Sequence, residues 1–205
     1  MTIQNKRPEY IETVGAQYVC FTTSEDPLKY SGVYEPNVEQ TKTVKKISVK
    51  ENSETAPIHG SGEMYANSSK MESVEITVDA IAFDRETLIK MRGETVGENG
   101  VILGGGSAAR PYFAYGKTVK LSNGKNRYDW FPKCQLMDNS DDAETSEGKP
   151  KEQNESITIM AMPFDAAGNT RASVDTQITA AKAITEEQFF AKPVIKPSDL
   201  APEAA

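Results

Sequence analysis

"KTVKLSNGKNRYDW", residues 117–130, reads as a β-hairpin. Asn123-Gly124 is the pair preferred in a type I′ turn, because both central residues of that turn need positive φ. The strands it joins are expected over 112–121 and 126–136, flanking Ser122-Asn123-Gly124-Lys125. On the second strand Tyr128 and Trp130 share one face, and Arg127, Asp129 and Phe131 share the other. Lys117, Lys120, Lys125 and Arg127 accompany a single acid, Asp129, in a chain of formal net charge −7. Two readings fit that charge. One is a solvated face. The other is an electrostatic contact in which the four cations meet acids of a neighbouring copy, beside an apolar anchor of Tyr128 and Trp130.

Outward from the hairpin the period of two recurs. "SVEITVDA" (73–80) places Val74, Ile76 and Val78 inward and Glu75 and Thr77 outward. "AQYVCFTT" (16–23) alternates Val19 and Phe21 with Tyr18 and Cys20. "TVKKISVKEN" (43–52) sets Val44, Lys46 and Ser48 against Lys45, Ile47 and Val49, the pattern of a half-buried or edge strand. "SITIMAMPF" (156–164) is a strong strand, followed by a "DAAGN" turn and a weaker strand near "ASVDTQI". "GENGVILGGGSAARP" (97–111) gives a strand with a glycine-rich exit. "SETAPIHGSG" (53–62) reads as a linker to a short strand, "EMYAN". The connection 24–42 has no sustained period, and such a long link is more often functional than idle. Residues 138–155 carry seven acids against two lysines and are expected to be a solvated loop.

One helix is well signalled, at about 84–92. Asp84 stands at the N-cap, Phe83 and Leu88 can form a hydrophobic staple, and Gly93 stops the helix. Its stripe of Leu88, Ile89 and Met91 should lie on the core as a lid. "TEEQFF" (185–190) can form one helical turn. Seven or eight short strands with one helix define a mainly β fold, a β-sandwich or barrel. The expected organisation is an N-terminal arm over 1–15, one domain over 16–190 and an extended proline-rich tail over 191–205.

The 205 residues are 38% hydrophobic and 26% charged, enough for one ordinary core. No apolar run approaches the roughly 20 residues of a membrane span, and the first residues lack the apolar stretch of a secretory signal. An acidic chain is poorly suited to gripping DNA phosphates and suits a surface that nucleic acid slides past. Cys20 and Cys134 read as buried free thiols. "GGGSAAR" (104–110) lacks the Lys-Ser/Thr of a phosphate loop. His59, the single histidine, has no nearby metal-ligating partner. Asp141, Asp142 and Glu144 lack the calcium-loop order. No catalytic residue, metal or cofactor is therefore expected.

"ARPYFAYGKTVKLSNGKNRYDWFPKCQL" (109–136) resembles the aromatic strand and "SNGK-x-RY-x-W" hairpin of phage major tail proteins of the phi13 family. "VKKISVKENSETAPIHGSGEMYAN" (44–67) is similar to that family's first sheet strands. "SVEITVDAIAFDRETLIKMRG" (73–93) is similar to its strand-then-helix unit. The resemblance spans about residues 40–180 and departs in the acidic 138–155 segment and the proline-rich tail. It implies a tail-tube fold, with six copies per ring and rings stacked into the tube of a long non-contractile tail. It implies a virion protein made in the bacterial host cytoplasm. Double-stranded DNA would pass its lumen without specific binding, and tape-measure, tail-terminator and distal tail proteins would be its partners. Lys117, Lys120, Lys125, Arg127, Tyr128 and Trp130 form the candidate subunit interface. The alternatives are a non-polymerising β-sandwich binding module and a capsid decoration or tail-completion protein.

Overall fold

The computed structural model describes residues 7–24, 26–60, 63–105, 109–141, 154–178 and 184–200, with the backbone alone at 54–60, 63–70 and 141. The chain runs β1 (Ile11–Phe21), β2 (Glu39–Thr41), β3 (Val44–Gly60), β4 (Glu63–Ala80), α1 (Arg85–Arg92), β5 (Thr95–Val96) and β6 (Ile102–Leu103). It continues through β7 (Phe113–Leu121), β8 (Asn126–Asp141), β9 (Glu155–Ala161), β10 (Ala172–Asp175), α2 (Glu186–Phe190) and a 3₁₀ turn (Pro197–Leu200). Eight strands form one antiparallel sheet in the order β2-β1-β7-β8-β9-β4-β3, with β10 also paired to β8. β5 and β6 make a separate two-stranded ribbon.

The sheet is mainly β as expected, and its topology explains the barrel-like shape. Its two edge strands, β2 and β3, are consecutive in the chain and separated only by Lys42 and Thr43. The edges must therefore come round to meet, and β1 packs against β3 across the curl. Long β8 makes this possible. Its first half pairs with β7 and β10, and its second half passes to β9.

Where the sheet passes through β1, β7 and β8, both of its faces are buried. The concave face encloses a first core, in which Val19, Phe113, Phe131, Ile76 and Ile159 come from five different strands. α1 closes it with Leu88 and Met91. That helix starts where its sequence says: Asp84 accepts from the Thr87 N–H, and Gly93 ends it at φ 67°. The convex face carries a second core of Tyr18, Cys20, Tyr128, Trp130 and Val174, covered by Phe189, Phe190 and Val194. Cys20 and Cys134 are free, buried and in different cores, so the sheet itself separates them. Burial pushes the Cys20 thiol up to about 11 and raises Cys134 as well, which keeps both protonated.

Five expectations are corrected. The "linker" 53–62 and short strand 63–67 are one continuous hairpin, paired from Val44↔Ala80 out to Gly60↔Glu63. Pro57 is tolerated because β3 is an edge strand and needs no donor on its free side. The 117–130 hairpin closes with a three-residue loop, not a type I′ turn. Gly124 N–H donates to Leu121 C=O, Leu121 N–H donates to Lys125 C=O, and Gly124 sits at φ 75°. β8 continues to Asp141 and β9 begins at Glu155, so the ends of the acidic segment are strand, while 142–153 lies outside the described residues. Residues 193–200 are not an extended tail: Pro193 and Val194 are buried, and Asp199 accepts from the N–H groups of Ile195 and Lys196, while 201–205 lie outside the described residues. Likewise β1 begins at Ile11, inside the segment expected as an arm.

Candidate assembly surface

The hairpin does not present its charge as one patch. Lys117 lies opposite Asp129 across the β7–β8 ladder, and Asp129 lies opposite Ser173 on β10. Asp129 is fully buried, with one carboxylate oxygen 3.4 Å from the Lys117 ammonium and 3.6 Å from Arg127 Nε. Its other oxygen accepts from the Ser173 hydroxyl. The acid thus holds together three strands at one level of the sheet. Burial holds Lys117 below the ordinary lysine range, opposed by the Asp129 charge. Removing the carboxylate would strand a buried ammonium, a loss of about 3–5 kcal/mol.

Tyr128 and Trp130 are likewise interior, which corrects their reading as a surface anchor. The Trp130 indole N–H donates to the Phe189 carbonyl at 3.0 Å. Its ring meets Phe190 edge-on at 5.2 Å, and Tyr128 stacks on Phe189 at 5.7 Å. Phe190 in turn lies flat on Tyr18, 3.7 Å away. Gly116 makes this possible, since a Cβ there would stand 2.8 Å from Phe190 Cε1 and 3.0 Å from Trp130. α2 is set by a reciprocal capping box between Thr185 and Gln188. Glu186 fastens it to the sheet by accepting from Tyr18 OH (2.6 Å) and Thr118 Oγ1 (2.8 Å).

Of the six candidate residues, Lys117, Tyr128 and Trp130 therefore face no neighbour. Lys120 is exposed, and Lys125 and Arg127 are half-buried. Arg127 has a partner in its own subunit, which leaves Lys120 and Lys125 as the hairpin's outward charge.

Three features escaped the sequence. The connection 24–42 is packed down by a tyrosine cluster: Tyr34 OH donates to the Pro132 carbonyl at 2.9 Å and lies 2.7 Å from Tyr30 OH. Lys133 sits over the rings of Tyr30 and Tyr112, and Lys90 pairs with Glu35 at 2.8 Å. The spacing of Tyr30 and Tyr34 was the available signal. The second feature is the β3–β4 arm. β9 pairs with β4 only from Val74 to Ala80, so from Asn52↔Ser73 to Gly60↔Glu63 the two strands have no third among the described residues. At about 3.4 Å per residue that arm is roughly 30 Å long. The third is β5, which pairs with the expected 97–111 strand to make a ribbon with exposed apolar side chains.

No protein-family model matches the chain, and no curated protein does. Among solved structures it is similar to a chain of "Cryo-EM structure of the anti-feeding prophage (AFP) baseplate, 6-fold symmetrised". The TM-score is 0.40 and the identity 9%, over 87% of this chain and 100% of that one. A likeness at that level carries no argument about this chain. The resemblance to phi13-family major tail proteins thus has no family model behind it and is carried by the quoted motifs.

Proposed function

We propose that the chain is the major subunit of a phage tail tube, a non-enzymatic virion protein that forms stacked hexameric rings around a DNA-conducting lumen. The observation that carries this reading is the β3–β4 arm. A two-stranded ribbon is marginal alone in water, and an arm of this length gains its stability from a surface outside its own sheet. In a stack of rings that surface is the adjoining ring. Among the described residues the outer edges of the β3–β4 arm and of β10 are unpaired, and such edges are templates for contacts between copies, while the net charge of −7 repels DNA in transit. The hairpin motifs supply the resemblance; tape-measure, terminator and distal tail proteins are the partners it would bring.

Negative-stain electron microscopy of concentrated protein tests the reading. Rings with six-fold symmetry and a central hole, alone or stacked, are expected. A protein that stays monomeric at high concentration, as a binding module would, overturns it. Charge reversal at Lys120 and Lys125 is the cleaner probe of the hairpin's part in assembly. Reversal at Arg127 would instead place a second carboxylate beside buried Asp129 and disturb the subunit.

A further inference from the structure

Among the described residues two surface features stand out, a ribbon with exposed apolar side chains and a groove with an apolar lining. On the β5–β6 ribbon Val96, Val101 and Leu103 are 55%, 50% and 69% exposed. Val101 immediately precedes β6, so alternation puts it with Leu103 on one side of the ribbon, while Val96, paired with Ile102, is on the other. Single apolar side chains are ordinary on a surface, but a cluster on a small ribbon marks an interaction site. The second feature is a groove of about 470 Å³ between β10 and the C-terminal segment, lined by the buried Val174, Phe189 and Val194 of the second core and by half-buried Ile184 and Leu200.

Their charges are opposite. Residues 94–105 contain Glu94 and Glu98 and no cation. Arg171 and Lys196, both exposed, stand at the groove. Their places in the fold are also opposite. The ribbon lies by the far half of β8, where Glu94 and Gly105 share a hollow with Leu136 and Asp138. The groove lies beside β10, which pairs with Arg127–Trp130 at the near end of β8. Tyr128 and Met137 are separated by roughly 30 Å of strand at about 3.4 Å per residue, so the ribbon does not reach the groove of its own subunit.

We propose that the β5–β6 ribbon of one copy seats Val101 and Leu103 in the β10 groove of the next, with Glu98 against Arg171 and Lys196. The contact joins two different patches and is therefore head-to-tail, the kind that closes into rings or propagates as a filament. It rests on the reading of the chain as a self-assembling subunit and names the surfaces that meet.

Two added-cysteine variants test it, Leu103→Cys and Lys196→Cys, mixed under mild oxidation. Both positions are exposed and the native thiols are buried. A disulfide-linked pair is expected from the mixture and not from either variant alone; its absence at the highest attainable concentration overturns the contact. Glu98→Lys and Arg171→Glu should each weaken self-association in sedimentation about tenfold, and the double variant should restore it, since it re-creates opposite charge across the contact. Loss in both single variants without restoration overturns the pairing. Rings without the mixed disulfide retain the tube reading and discard this contact. The mixed disulfide without rings retains the contact and discards the tube.

Discussion

The two faces of one sheet are covered in different ways. The concave face closes because the sheet curls, so strands from the whole length of the chain supply both walls and α1 needs only to fill the opening. The convex face is closed by a short segment from the C-terminal end of the chain, held by Phe189, Phe190 and Val194. A face made by curling cannot open without breaking strand pairing. A face covered by a strap can open while the sheet stays whole, because no ladder hydrogen bond joins α2 to the strands beneath it. The difference makes the strap the separable part of the subunit.

The largest effect should come from the strap. Phe189→Ala with Phe190→Ala removes two aromatic side chains at about 3–5 kcal/mol each, and Trp130 should become wet while the first core persists. Tryptophan emission should shift to the red at denaturant concentrations where far-ultraviolet circular dichroism is unchanged. Simultaneous loss of both signals would show that the two faces are one cooperative unit.

Asp129→Asn probes the opposite face and should cost about 3–5 kcal/mol, because Lys117 is left buried without its counter-charge. Adding Lys117→Met should recover much of that loss, since a matched apolar replacement of a buried pair is often neutral or better. Urea midpoints of the two variants and the parent decide it; equal midpoints for the single and double variants would mean that Lys117 finds water or another acid. Gly116→Ala should cost about 1–3 kcal/mol by overpacking. Its effect should be confined to the strap, because the new methyl meets Phe190 and Trp130. An unchanged tryptophan spectrum would show that Phe190 can step aside.

The smallest effects lie at the helix caps, where the comparison becomes one of pH. Asp84→Ala on α1 and Thr185→Ala on α2 should each cost about 1 kcal/mol at neutral pH. The Asp84 carboxyl is held below its ordinary range by the Thr87 backbone N–H and then by the Thr87 hydroxyl. Its folded-state pKa is depressed, so its contribution is present above the unfolded carboxylate pKa and is lost as pH falls through the folded value. The Thr185 hydroxyl does not titrate in this range, and its contribution should be constant. Variant-minus-parent stability measured at neutral and strongly acid pH should converge to zero for Asp84→Ala alone. A Thr185→Ala difference that vanished in acid would overturn the assignment.

Sequence by itself determined whatever depends on near neighbours along the chain. The alternation of Val74, Ile76 and Val78, the split of Tyr128 and Trp130 from Phe131, and the α1 stop signals were all legible, because strand period and cap chemistry act over a few residues. The β3–β4 arm was not, because residues 53–67 carry no hydrophobic period to read, and Pro57 with Gly60 mimicked a linker. Nor could the sequence say that the hairpin's lysine and aromatics turn inward. Lys117 is neutralised by cross-strand Asp129, which Ser173 of β10 holds by its other oxygen, and Trp130 is covered by Phe189 and Phe190, about sixty residues further along the chain. Which of two amphipathic faces meets water is fixed by what arrives to cover it, and that is a property of the curled sheet and its strap.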